Sequence, residues 1–529
     1  MSRISPAQSV FTLLLALVFF VVLAAAITPF YPGSAPSILT FLFAGSAMLA
    51  TATASPPSIF VLTVSLFLFV GFVGKALFHF TFGVPLIEPT GEFTTQWDRA
   101  LDFASSGLAG VTAATLTAKV FPSFLRIRQA HGTALVSNVV VAGLICVTSV
   151  GLVSYWVNYE FHILRIGFPL GVDIHPRLYA LLSFTITWGA IFGALTLILW
   201  AIEIRNWGYQ YLWYVAAALG FFAAVTMASR IQFLLYLLAA TWVMVWRWRQ
   251  VRSWWQVALA VCVAVVLFGA ALLIVSLERT YDFVLSPGEK AAVVQAESAA
   301  TATQSAESGR SNYDGVTLTE KAEAISAHRV THLIGELKNL VVMRWIGLEG
   351  VMTTAAEPER LGASLFWAGL KEDPAAGAQS IYQKMSGDRY GRVEHFTFLT
   401  VPGPIGIGSY SGSQAVIFFL SLGLVLAGHA LEWLAARLTG NLAAASVAGV
   451  SLAYLVVQMC FPWTLLIYAI ELGLVIVAVS VTWSLVNRIR WAPGYTSAQR
   501  DASVEFRGAE AVVDQSSCLR QTRRLTKSV

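Results

Sequence analysis

Charge is what this chain has least of. Of its 529 residues only 12% are Asp, Glu, Lys or Arg, about half the share that soluble proteins use to cover their surface. With 57% hydrophobic residues and a mean hydropathy of +0.69, that shortage excludes a string of water-soluble domains and calls for a bilayer as the solvent. A strong basic excess is missing too. The 34 Lys and Arg against 29 Asp and Glu leave a net charge of +5, and the basic residues gather at the ends of apolar runs, which argues against nucleic acid as a partner. Cysteine is scarce: Cys146, Cys262 and Cys460 lie in apolar runs and Cys518 in the C-terminal tail. None has the paired spacing of zinc ligands or of a disulfide scaffold, so no metal and no cofactor is expected.

What the chain has in abundance is apolar runs of about 20 residues, the length a helix needs to cross the hydrocarbon core with its backbone satisfied. Twelve are predicted, over 9–29, 36–53, 57–80, 101–120, 133–157, 178–202, 209–228, 231–246, 256–277, 413–433, 442–460 and 463–486. The first has a signal peptide's position, but only Arg3 precedes it and its apolar stretch is long, so it reads as a span. An even number of spans places both termini on one side. Arg3, Lys119, Arg126, Arg128, Arg205, Arg247, Arg249, Arg252 and Arg437 fall in the short loops of that side, and Arg99, Arg165, Arg177 and Arg230 in those opposite. Positive charge marks the cytoplasmic face, so both termini are expected there.

The chain then divides into a membrane domain over 1–277, an outward loop domain over 278–412, further spans over 413–486 and a polar, disordered cytoplasmic tail over 487–529. The loop domain holds 16 of the acidic residues against 12 Lys and Arg. Its stretch 291–313, rich in Ala, Ser, Thr, Gln and Glu, reads as disordered. From Thr317 the pattern turns helical over 318–345, where Val330, Leu333, Leu337 and Leu340 share a side. The fold class is therefore all-α, polytopic, with about twelve spans and a large helical loop between the ninth and tenth.

Polar residues out of place in such a chain are candidate site residues. Arg230 ends the outer turn Thr226-Met227-Ala228-Ser229-Arg230, either as an interfacial anchor or as a planar fork for a diphosphate. Arg344 falls on the apolar side of its predicted helix, where it either pairs with Glu349 or meets substrate. Arg165 lies in a second outward loop, 158–177. His328, His332 and Glu336 recur on one helical face, but Arg329 stands where a zincin needs glutamate, and a solvated face explains them. His395, just ahead of Val401-Pro402-Gly403-Pro404-Ile405-Gly406, brings either a backbone cap or a general base to the membrane surface. Within the spans, Lys75, His79 and Glu471 are read as a polar relay, with snorkelling as the simpler account of Lys75. His429 reads as a satisfied core group.

Ser229-Arg230 at an outer turn, a large outward loop late in the chain, and the His395-to-Leu399 stretch leading through Gly403 and Gly406 into the next span together resemble the bacterial O-antigen polymerase and ligase superfamily. Arg344-Trp345-Ile346-Gly347 and Tyr382-Gln383 are similar to its polymerases. The ligase-like pattern often has Asn where Phe396 follows the histidine. The resemblance implies a GT-C-type glycosyltransferase of the inner membrane that acts on undecaprenyl-diphosphate-linked oligosaccharides at the periplasmic face. Its product is a surface polysaccharide such as lipopolysaccharide or exopolysaccharide, and its partners are the lipid-linked donor, a glycan or lipid-linked acceptor, membrane lipids and a chain-length regulator. It further implies that Arg230, Arg344 and Arg165 contact the diphosphate, while His395 or Glu349 takes the acceptor's proton. The competing expectation is a membrane transporter or flippase of lipid-linked glycans, although a carrier of two six-span halves would place its long connection centrally and inside.

Overall fold

The computed structural model describes residues 6–54, 56–84, 86, 96–120, 134–166, 172, 174–251, 253–284, 345–373, 376, 379–386 and 401–490. Among them every regular element is a helix. In chain order these are α1 (Pro6–Ile27), α2 (Ala35–Ala54), α3 (Ile59–Phe69), α4 (Lys75–Phe82), α5 (Trp97–Ala118), α6 (Ala134–Phe161), α7 (Pro176–Phe184), α8 (Ala190–Arg205), α9 (Gln210–Thr226), α10 (Arg230–Trp246) and α11 (Trp254–Val284). The second group is α12 (Leu348–Ala355), α13 (Ala363–Leu370), α14 (Ile381–Met385), α15 (Gly403–Ser409), α16 (Gln414–Thr439), α17 (Leu442–Val457) and α18 (Pro462–Arg490).

Among the described residues, seven helices are long and apolar enough to cross a membrane, which makes the chain a helical membrane protein: Ala35–Ala54, Ile59–Phe82, Val136–Phe161, Arg177–Arg205, Trp254–Glu278, Gln414–Thr439 and Pro462–Ser484. Four shorter apolar helices accompany them, Ala16–Phe30, Gln210–Thr226, Arg230–Trp246 and Leu442–Val457. Two of the long helices are continuous only because a π turn joins their halves, Val70–Gly74 between α3 and α4 and Thr185–Gly189 between α7 and α8. The predicted helix over 318–345 and the tail lie outside the described residues, apart from Trp345 and the last turns of α18.

Hydrogen bonds between helices join like ends of the bundle. At one end the Tyr31 phenol donates to Asp98 at 2.7 Å, and the Ser34 N–H donates to the same carboxylate at 2.8 Å. Burial works against ionisation of Asp98, but these donors outweigh it and hold the carboxyl below its usual range. At the other end Arg205 donates to Ser137 at 2.5 Å and Asn138 at 2.7 Å, and Arg247 pairs with Glu203 at 3.3 Å. Asn441 there caps α17 through Ala443 N–H at 2.8 Å, while its amide donates to the Thr196 carbonyl of α8 at 2.9 Å.

The start of α3 is closed by a different helix. Its first backbone N–H groups have no intrahelical acceptor. Ser58 accepts from Val61 N–H at 3.1 Å, and Glu432 of α16 accepts from Ile59 and Phe60 N–H at 2.9 Å each. Glu432 is wholly buried.

Part of the segment that the sequence assigns to the outward loop enters the bundle. All eight residues of α12 and all seven of α15 are buried. The polypeptide reaches this position through glycine: a methyl group added at Gly71 in the first π turn would collide with the Ile346 carbonyl, and one added at Gly347 would collide with the Gly71 backbone. Gly71→Ala is expected to displace this contact at a cost of about 1–3 kcal/mol, the usual penalty of overpacking. A lowered midpoint of thermal unfolding in detergent checks it. Gly74→Ala is the control, since its added methyl would meet nothing closer than 3.8 Å.

Candidate functional site

Two groups of charged residues are built by this architecture, and both contain residues singled out in the sequence. The first forms where the α6–α7 loop meets the α9–α10 turn. Asn158, near the end of α6, accepts from Leu164 N–H at 2.6 Å and donates to the Leu164 and Thr226 carbonyls at 3.1 and 2.9 Å. Ile166 N–H donates to the Met227 carbonyl at 2.9 Å. The α9–α10 turn itself is sharp, with Ala228 in the left-handed region at φ 48°.

Fastened this way, Arg165 and Arg230 both point at the same end of α11. The Arg230 guanidinium, at the first position of α10 and 8% exposed, donates to the Ser276 hydroxyl at 2.8 Å. Arg165 pairs with Glu278 at 2.7 Å, with side-chain exposures of 9% and 22%. Two buried guanidinium groups therefore stand on acceptors two residues apart in one helix. A buried arginine needs well-placed acceptors to offset its desolvation, and the hydroxyl and carboxylate of α11 serve that need here. Ser276 and Glu278 lie about 200° apart around α11, so the two guanidinium groups are held separately at one end of that helix, with the charge of Arg165 balanced by Glu278.

The second group lies beneath the docked segment. Lys75, the first residue after the π turn, donates to both carboxylate oxygens of Glu349 in α12, at 2.6 and 2.5 Å. The side chains are 4% and 5% exposed. Around them, Thr353 and the Tyr382 phenol share a hydrogen bond of 3.2 Å, and Thr354 and Ser409 one of 2.5 Å, so α12, α14 and α15 are laced together by hydroxyls. At the rim, Glu372 accepts from Ile381 N–H at 2.6 Å. Burial raises the Glu372 carboxyl above its ordinary range, against the pull of that N–H and of Lys384.

Several sequence expectations are revised by these contacts. Lys75 does not snorkel, because Glu349 supplies a partner inside the protein. The relay of Lys75, His79 and Glu471 is not formed: His79 bonds the Val84 carbonyl at 3.0 Å and stacks on Trp97, whereas Glu471 accepts from the Trp188 indole at 3.0 Å. The structure places Arg165 and Arg230 at one end of α11, each on its own acceptor, and Glu349 apart, on Lys75. His395, Arg344, His328, His332 and Glu336 lie outside the described residues. Ser276 and Glu278 carry no signal in the sequence, and Lys75, singled out there, could not be matched to Glu349, because these partners are far apart along the chain.

Among the described residues no three His, Cys, Asp or Glu side chains gather as a metal-binding group. No protein-family profile matches the chain, and neither curated proteins nor solved structures match it.

Proposed function

We propose that the chain is a glycosyltransferase of the bacterial inner membrane that polymerises or ligates undecaprenyl-diphosphate-linked oligosaccharide units at the periplasmic face. The observation that carries this reading is the placement of Arg230 and Arg165 at the same end of α11. The proposed topology has twelve passes, GT-C-like, with both termini in the cytoplasm. The seven long apolar helices, the four shorter ones and α5 together supply that number.

The chemistry suits what such an arrangement can do. In the transfer, the bond between the donor's anomeric carbon and its diphosphate oxygen breaks, and a bond to the acceptor hydroxyl oxygen forms. In this reading the lipid diphosphate leaves with its charge held by Arg230, and by Arg165 once the diphosphate takes the place of Glu278, an electrostatic role that positioned guanidinium groups perform. The acceptor's proton passes to a base. Glu349 is sealed by Lys75, so in this reading the base is His395, Glu349 holds the docked segment, and Arg344 joins the diphosphate contacts.

In cells deleted for the gene, wild type, Arg230→Ala, Arg165→Ala and Arg230→Lys would be supplied at matched membrane levels. The readouts are the length profile of surface polysaccharide and the lipid-linked intermediates. Loss of one charge-assisted contact corresponds to about 10- to 100-fold slower transfer. The alanine variants are therefore expected to accumulate single units on the outer leaflet, with partial rescue by lysine. Units confined to the cytoplasmic leaflet would instead identify a flippase, and an unchanged profile would end the glycan reading.

A further inference from the structure

Five carboxylates described above have strong partners. Glu349 has Lys75, Glu278 has Arg165, Glu203 has Arg247, Asp98 has a phenol and a backbone N–H, and Glu432 has two backbone N–H groups. Glu471 differs. It accepts a single hydrogen bond, from the Trp188 indole. It is also the tenth residue of α18, roughly 14 Å along the helix axis at 1.5 Å per residue, which is near the middle of a hydrocarbon core about 30 Å thick.

Among the described residues, its surroundings supply no cation. The elements packed against α18 are α6, the π turn before α8, α13, α16 and α17. Their Lys and Arg residues, with those of α7 and α8, are confined to helix ends: Arg177 and Arg205 flank the α7–α8 span, and Arg437 ends α16. α18 itself carries Arg488 and Arg490 in its last turn, and α13 and α17 contain no ionisable side chain but Tyr454. The polar groups of α16 are turned elsewhere, Glu432 onto α3 and His429 into the core. On α6, Glu160 lies at the exposed end and Tyr155 is directed, with Tyr236 of α10, to the Ile186 carbonyl at 3.5 and 3.4 Å. What remains near Glu471 is Trp188 and the phenols of Tyr179 and Tyr468.

The carboxyl also opens outward. Glu471 is half-buried, and its neighbours Ile467, Ile470 and Leu474 are 43%, 56% and 59% exposed, forming part of an apolar stripe that faces lipid. On the other side Leu472, Val475 and Ile476 are packed into the bundle. An ionised carboxylate at this boundary would meet hydrocarbon with no counter-charge, a state that intramembrane acids avoid by neutralisation. The π turn accounts for the geometry: it sits where Tyr155 and Tyr236 engage the Ile186 carbonyl, and it presents the Trp188 indole to the carboxyl, a placement common at functional sites.

We infer that Glu471 is a proton-binding site within the membrane, a carboxylic acid held by Trp188 at the lipid boundary of α18. Its ligand is a proton, and this assignment is independent of the glycan reading.

The full chain, reconstituted in phosphatidylcholine vesicles, would be treated at neutral pH with dicyclohexylcarbodiimide, which partitions into the bilayer and reacts with protonated carboxyls. A parallel sample would receive a water-soluble carbodiimide, and both would be read by peptide mass spectrometry. The lipid-soluble reagent is expected to modify Glu471 and to spare the wholly buried Glu432, with modification fading as the pH is raised and absent in Glu471→Gln. That variant mimics the neutral acid and is expected to purify and elute like wild type. Three results would overturn the assignment: no modification of Glu471 in folded protein, modification by the water-soluble reagent alone, or protection by sodium ions, which would mark a metal-cation site.

Discussion

Lys75→Met is expected to destabilise the protein by about 3–5 kcal/mol, the characteristic effect of removing one member of a buried ion pair. The substitution keeps an unbranched side chain one atom shorter and deletes the charge and its donors. Glu349 would then be a carboxylate 5% exposed with neither water nor cation to balance it. The cost falls on the docking of α12, because Glu349 is its second residue and Lys75 belongs to the helix that receives it. Adding Glu349→Leu to Lys75→Met removes the orphaned charge as well, and the double variant is expected to regain most of the loss. Denaturant unfolding of the detergent-solubilised variants provides the full double-mutant cycle. A Lys75→Met protein within about 1 kcal/mol of wild type would match a solvated surface pair instead, and would show that α12 does not dock as described.

Glu432→Ala is the second large effect. It deprives Ile59 and Phe60 of their acceptor in a place water does not reach, and each abandoned buried N–H costs about 1–3 kcal/mol. The expected total is about 2–6 kcal/mol, with Glu432→Gln falling between, since its amide offers one oxygen where the carboxylate offers two. Hydrogen exchange locates the damage: the amides of Ile59 and Phe60 should lose protection while those in the middle of α17 keep theirs. Unchanged protection in Glu432→Ala would mean that Ser58 alone closes α3.

The long helices were legible in the sequence because a span is a local property, an apolar run of sufficient length. Even α5, whose first turns carry Asp98, Arg99 and Asp102, could be placed from the apolar and small residues that follow. The docked segment was less legible. In the sequence, Gly403 and Gly406 mark only a stretch leading into the next span, and nothing in its composition states that neighbouring helices bury Gly403 to Ser409. It is covered by α5, α12, α16 and α17, and α12 is brought in where Gly71 admits Ile346 and Gly347 from far along the chain, a pairing that no short-range pattern records. The same limit hid the partner of Glu349, 274 residues away at Lys75. Arg230 and Arg165 could be found because arginine on the basic-poor side of a span is conspicuous, but their shared helix end could not, since Ser276 and Glu278 look like ordinary residues at the close of an apolar run.

The π turn at Val70–Gly74 ties function to chain length as well as to side chains. A π turn is an α-helix carrying one surplus residue. Removing that residue would restore regular winding and turn everything beyond it by about 100° while drawing it back about 1.5 Å. Lys75 is the first residue beyond it, so its ammonium group would leave Glu349 even though no residue in the pair had changed. The second π turn sets the aim of the Trp188 indole in the same way. At these two places the protein depends on counting: one residue too few would do what no single replacement in the same turn does, and rotate an intact half-helix onto the wrong neighbours.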